Sequence, residues 1–143
     1  MKQSPVVHFE MGYNNKDRMV QFYQTVFGWK PQDMGPQMGG YVVAQTAETD
    51  ANGMVQQKGA INGGFYAKTD SPLSQAPSVV IAVDDMNAAV EEVKKAGGKI
   101  LGAMNQNGEH TEEPQMIPGI GLWVSIEDTE GNRVSMLQPN PGD

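Results

Sequence analysis

Val6-Val7-His8-Phe9 and Ser78-Val79-Val80-Ile81-Ala82-Val83 are two apolar runs about seventy residues apart, and the same pattern follows each of them. Twenty residues after His8 comes Gly28, in Phe27-Gly28-Trp29-Lys30. Twenty residues after Ser78 comes Gly98, in Gly97-Gly98-Lys99-Ile100. In both copies the stretch between run and glycine has helical spacing. Self-similarity at a fixed period constrains a whole fold, and two copies are too few for a solenoid. They suit a pseudo-symmetric pair of modules with a shared cleft, and that cleft is where function is expected.

Working outward from the first run, Pro5 to Gly12 reads as a buried strand. Asn14 to Asp17 offers caps, and Met19, Val20, Tyr23, Val26 and Phe27 form one apolar helical face. Gly28 is a natural helix stop, because glycine tolerates the left-handed conformation. Trp29-Lys30-Pro31 leads into a short strand, and a turn region at Gly35 to Gly40, a strand at Tyr41 to Thr46, a polar hairpin loop at Ala47 to Gln57 and a glycine-rich strand at Gly59 to Tyr66 follow. Thr69 to Pro77, with two prolines and two serines, reads as a linker.

The second copy repeats the order. Asp84-Asp85 can cap a helix whose apolar face is Met86, Ala89, Val90, Val93 and Ala96. Strands are expected at Lys99 to Met104, Gly121 to Ile126 and Arg133 to Gln138, with a long polar loop from Asn105 to Gly119 and a frayed tail after Gln138. The expected fold class is α+β: two βαβββ modules, with curved, mostly antiparallel sheets forming the cleft and the helices outside. Module one spans 5–67, the linker 68–77 and module two 78–139, within a single domain over 1–143.

The balance of 17 acids against 10 bases gives a net charge of −7, which opposes generic binding of nucleic acid. The absence of cysteine excludes disulfides, thiolate metal sites and cysteine nucleophiles. No stretch has the length and apolarity of a signal peptide or a membrane span, so a soluble cytoplasmic protein with no membrane partner is expected. Most of the ten methionines are expected to fill core space. Trp29 is expected to pack beside the helix stop, whereas Trp123 and Tyr66 could face either the cleft or elsewhere.

The chain resembles the vicinal-oxygen-chelate superfamily of glyoxalases, extradiol dioxygenases and bleomycin-resistance proteins. The residues that carry the resemblance are His8, Phe22-Tyr23 and Val26-Phe27-Gly28-Trp29 in the first half. In the second half they are Val83-Asp84-Asp85, Ala96-Gly97-Gly98-Lys99, Pro118-Gly119-Ile120-Gly121 and Ile126-Glu127-Asp128-Thr129-Glu130-Gly131-Asn132-Arg133. The last resembles the family's E-D-P-x-G-N turn, with Thr129 in place of proline.

The resemblance implies four metal-ligand positions, on the first and last strands of each module. They fall on His8, on Ser78, on Ser135 and, for the last strand of module one, on Asn62, Gly63 or Gly64. Serine hydroxyls and glycine do not replace carboxylate or imidazole as ligands of a transition metal. The expectation is therefore a protein that binds a small organic molecule in its cleft without a cofactor. His8, Glu10, Gly64, Ser78, Trp123 and Ser135 line that cleft, and a homodimer is expected. Two alternatives remain. One is a metal-dependent lyase, isomerase or dioxygenase with a divalent ion on His8 and Glu10, closed by His110 or Glu112. The other is metal-free acid–base catalysis by His8.

Overall fold

A computed structural model of the chain describes residues 2–105, 107 and 109–140; the rest of the expected tail and two positions of the polar loop lie outside the described residues. The chain divides into two compact units, one running from Val7 to Ser78, the other joining the residues up to Val6 with the chain from Val79 onward.

The first unit contains β1 (Val6–Tyr13, which starts one residue outside it), α1 (Lys16–Phe27), β2 (Lys30–Asp33), β3 (Val42–Gln45) and β4 (Asn62–Ala67). Its strand order is β2-β3-β4-β1. β3 is antiparallel to both β2 and β4, whereas β1 runs parallel to β4 with His8 opposite Asn62 and Glu10 opposite Gly64. Asn15 starts α1 by accepting a hydrogen bond from the Arg18 amide at 3.0 Å. Gly28 ends it at φ 70°, donating its N–H to the Gln24 carbonyl.

Side chains alternate across a strand. Phe9, Met11 and Tyr13 therefore join Met19, Val20, Tyr23 and Trp29 around the buried Val42, Ala44 and Phe65. His8, Glu10 and Gly12 take the opposite face. Trp29 packs as expected, stacked on Tyr23 at 4.8 Å between ring centroids. The helix departs from expectation in its last turn, where Val26 and Phe27 are 55% and 58% exposed. The turn at Gly28 folds Trp29 back against Phe9 and Tyr23, and its indole covers the core in their place.

The second unit repeats the plan with β5 (Ser78–Ala82, again starting one residue outside), α2 (Met86–Lys95), β6 (Lys99–Met104), β9 (Gly121–Glu127) and β10 (Arg133–Pro139). The order β5-β10-β9-β6, with β10 parallel to β5, matches β1-β4-β3-β2 strand for strand. Asp85 caps α2 by accepting from the Ala88 amide at 3.1 Å. Beneath α2 lie Val83, Met86, Val124, Ile126 and Met136.

The long loop before β9 is not wholly irregular. It holds β7 (His110–Thr111), paired with β6, and β8 (Gln115–Ile117), paired with β9. A register shift between Ile100 and Gly102 and a φ of 103° at Gly102 bring β6 against the Thr111 backbone; a side chain at Gly102 would collide there. No helix among the described residues is long and apolar enough to cross a membrane.

Candidate functional site

Three expected site residues of the first unit share one location. His8 and Glu10 project from β1 on the face turned away from α1, and Gly64 lies beside Glu10 on β4. A fourth residue, Tyr41, joins them. Its hydroxyl lies 3.1 Å from His8 Nε2 and donates to Glu10 Oε2, also at 3.1 Å. Glu10 is 8% exposed and His8 is half-buried. The Tyr41 ring crosses directly over Gly64, so a Cβ at that position would overlap the phenol. Gly63, one residue earlier, opens the other face in the same way for the ring of Phe9.

The proton inventory gives this cluster a direction. An ionised carboxylate only accepts, and a phenol has one proton. Tyr41 gives that proton to Glu10, so its oxygen accepts from His8, which carries its proton on Nε2. The imidazole then has Nδ1 as its free lone pair. Burial lowers the His8 pKa from its ordinary value and keeps the ring neutral. Burial, followed by the Glu10 charge, holds the Tyr41 pKa well above the ordinary phenol range, so Tyr41 stays protonated.

The register also assigns the ligand position that the sequence leaves open. In the second unit Ser135 pairs with Val80, two residues after Ser78. In the first unit the residue two after His8 is Glu10, and it pairs with Gly64. Gly64 is therefore the counterpart of Ser135, and Tyr41 fills the space that a ligating side chain at that position would take. Asn62 is engaged elsewhere, accepting from the Thr46 amide at 2.9 Å.

Ser78 is buried at the start of β5. Ser135, with 0% exposure, lies opposite the buried Ser125, and neither hydroxyl has a hydrogen-bond partner among the described residues. Trp123 lies opposite Leu137 on the same face. Because Leu122, Val124 and Ile126 pack with α2, alternation turns Trp123, Ser125 and Ser135 away from it. Tyr66 is half-buried and donates to the Ser74 carbonyl at 2.9 Å.

His110 is exposed, with Nε2 at 2.6 Å from the Leu101 carbonyl, and Glu112 is exposed as well. Among the described residues no three His, Cys, Asp or Glu side chains gather in a way that could hold a metal ion. The residues at the four ligand positions are His8, Gly64, Ser78 and Ser135, and that donor set does not fit the metal centre of the resembled family.

The sequence pointed to His8, Glu10 and Gly64, which the structure places side by side on β1 and β4, and did not point to Tyr41, Ser125 or the role of Gly63. The available signal was Gly63-Gly64 inside a strand, a pair that makes room for rings on both faces.

The model of the Glyoxalase/Bleomycin resistance protein/Dioxygenase superfamily matches residues 6–136. A glyoxylase-like domain-containing protein of Didymella fabae is 28% identical over 123 residues, covering 86% of this chain and 84% of that one. CFP32 of Mycobacterium bovis is 24% identical over 136 residues, and there the chain spans 43% of the relative's length. The crystal structure of methylmalonyl-CoA epimerase from Mycobacterium tuberculosis superposes with a TM-score of 0.60 at 12% identity, covering 95% of this chain and 88% of that one, a likeness of fold. With a family match across most of its length and both βαβββ units formed, the chain belongs to the Glyoxalase/Bleomycin resistance protein/Dioxygenase superfamily.

Proposed function

We propose that this protein binds a small organic molecule through the strand faces turned away from its helices, without the superfamily's standard metal centre. The observation that carries the reading is the His8–Tyr41–Glu10 cluster, in which a phenol takes up the space above Gly64 and engages both potential ligands. A half-buried imidazole with a free lone pair is a hydrogen-bond acceptor for a ligand hydroxyl or amide. The Ser125 and Ser135 hydroxyls, buried with no hydrogen-bond partner among the described residues, lie on the same strand face as Trp123. Trp123 offers a flat apolar surface beside them.

A second reading, metal-free proton transfer by His8, is favoured by the same cluster. A neutral imidazole held in one tautomer is prepared to take a proton. Assembly as a homodimer belongs to the proposal too, since β2 forms an edge of its sheet and edge strands promote pairing. Light scattering at the monomer mass would count against that part.

The test is a thermal-shift screen of small carbonyl and aromatic compounds in the presence of chelator. A ligand that binds only the folded state raises the midpoint by mass action. Stabilisation that disappears in His8→Ala supports the reading. Stabilisation that requires an added divalent metal would sink it. Turnover of a hit in chelator, lost in His8→Ala, would select the proton-transfer reading.

A further inference from the structure

A second place in the first unit bears on ligand binding, and it shares no residue with the His8 cluster. At the C-terminal ends of β1 and β4 a cavity of about 430 Å³ opens on the α1 side. Its apolar lining includes Met11, Met19, Tyr23 and Phe65, the last almost wholly buried. Its charged residues are Arg18 from α1 and Lys68 from the end of β4, and no acid lines it, although acids outnumber bases 17 to 10 in the chain.

Neither cation is in an ion pair among the described residues, as is also true of Lys58 and Lys99, whereas Lys2, Lys16, Lys30, Lys94 and Lys95 each meet a carboxylate. Lys68 is also held in place. Its backbone N–H donates to the Tyr13 carbonyl at 3.0 Å. Its aliphatic stem lies across Gly12 so closely that a Cβ there would overlap it. Gly12 thus lets the stem lie down on β1. A cavity with one apolar wall, polar Asn14, Asn15 and Gln75, two cations in no ion pair among the described residues and no lining acid matches an amphipathic anion.

We infer that this cavity binds a small organic carboxylate, its acyl or aryl body on Met11, Met19, Tyr23 and Phe65 and its carboxylate toward Arg18 and Lys68. Desolvation of the body and charge-assisted hydrogen bonds to the head act together. Ligands that carry only one of the two features bind weakly.

The experiment is a titration of the ¹⁵N-labelled protein with octanoate and phenylacetate, alongside neutral octanol and phenylacetamide. The carboxylates are expected to shift amides around Met11, Arg18 and Lys68, with the neutral compounds at least about tenfold weaker. The Arg18→Gln/Lys68→Gln variant is expected to lose the same factor for the carboxylates while the neutral compounds are unaffected. Arg18→Gln alone, at an exposed site, keeps the test decisive if the double variant misfolds.

Equal binding of the neutral compounds would overturn the inference. So would shifts confined to His8 and Tyr41, or no shift up to about 10 mM probe. Concentration-dependent broadening of the cavity amides without probe would overturn it as well, because a second copy of the chain would then be the occupant. A failed search for ligands of the His8 cluster leaves these outcomes unchanged, because the two sites have no residue in common.

Discussion

At the scale of the residue, the consequential contact is a phenol between an imidazole and a carboxylate. The direction of the chain, His8 to Tyr41 to Glu10, follows from one proton and one obligate acceptor. The expected outcome is that His8 is the Nε2–H tautomer, read from long-range ¹H–¹⁵N spectra. The chain has two histidines, so the signals are assignable. His110 gives an internal comparison, since the Leu101 carbonyl beside its Nε2 can only accept. Tyr41→Phe is expected to release His8 into mixed tautomers and to cost about 1–3 kcal/mol by removing a hydrogen bond to the Glu10 carboxylate. An Nδ1–H tautomer in the parent protein would refute the direction. The pH dependence follows in sign. The folded His8 pKa lies below 6.5, so the unfolded chain binds the proton better. The His8 contribution is complete above about 6.5 and is lost as pH falls through the lowered folded value. The gap between the urea midpoints of the parent and His8→Gln should therefore be constant above that pH and shrink as the pH falls from there through the lowered folded value. His8 and Glu10 were legible in the sequence because period-two spacing places them on one face. Tyr41 was not, because its partners are 31 and 33 residues away and the neighbour of its strand that matters is a glycine.

At the scale of the element, strand and helix positions follow the hydrophobic pattern, and the exceptions have local causes. The apolar stripe of α1 runs from Met19 to Phe27, but the core accepts only its first part. Periodicity reports which residues could share a face; it does not report where the partner sheet ends. That difference is measurable. Phe65→Ala, at 1% exposure, is expected to cost about 3–5 kcal/mol, and Phe27→Ala, more than half exposed, less than about 1 kcal/mol. Chemical denaturation with an unchanged m-value would check both. Comparable losses would mean that the last turn of α1 is packed after all. The strands β7 and β8 escaped the sequence reading for a related reason. They have two and three residues, too few for alternation to register, and they form because β6 and β9 offer them edges.

At the scale of the whole molecule, the doubled pattern led directly to the family, because each copy needs the same order of strand, helix and three strands. The repeat also makes the departures from the family readable. Matching registers identify Gly64 with Ser135 and His8 with Ser78, a correspondence for which the sequence left three candidates in the first half. A transition metal needs imidazole, carboxylate or thiolate donors converging on one point, and the four positions supply one such donor. Glu10, whose Oε2 accepts from Tyr41, would raise the number to two, still short of the three protein ligands that a catalytic zinc site uses. The expected outcome is that untagged protein purified without chelator carries well under one equivalent of nickel, zinc, manganese or iron, and takes none up on incubation with each ion. Elemental analysis decides it. Near-stoichiometric metal that falls in His8→Ala would overturn the metal-free proposal and put the ion at the cluster, whereas metal that survives His8→Ala would place it away from the four strand positions. With no metal, what remains at the cluster is a neutral imidazole of defined tautomer, and the chemistry available there is hydrogen bonding and proton transfer.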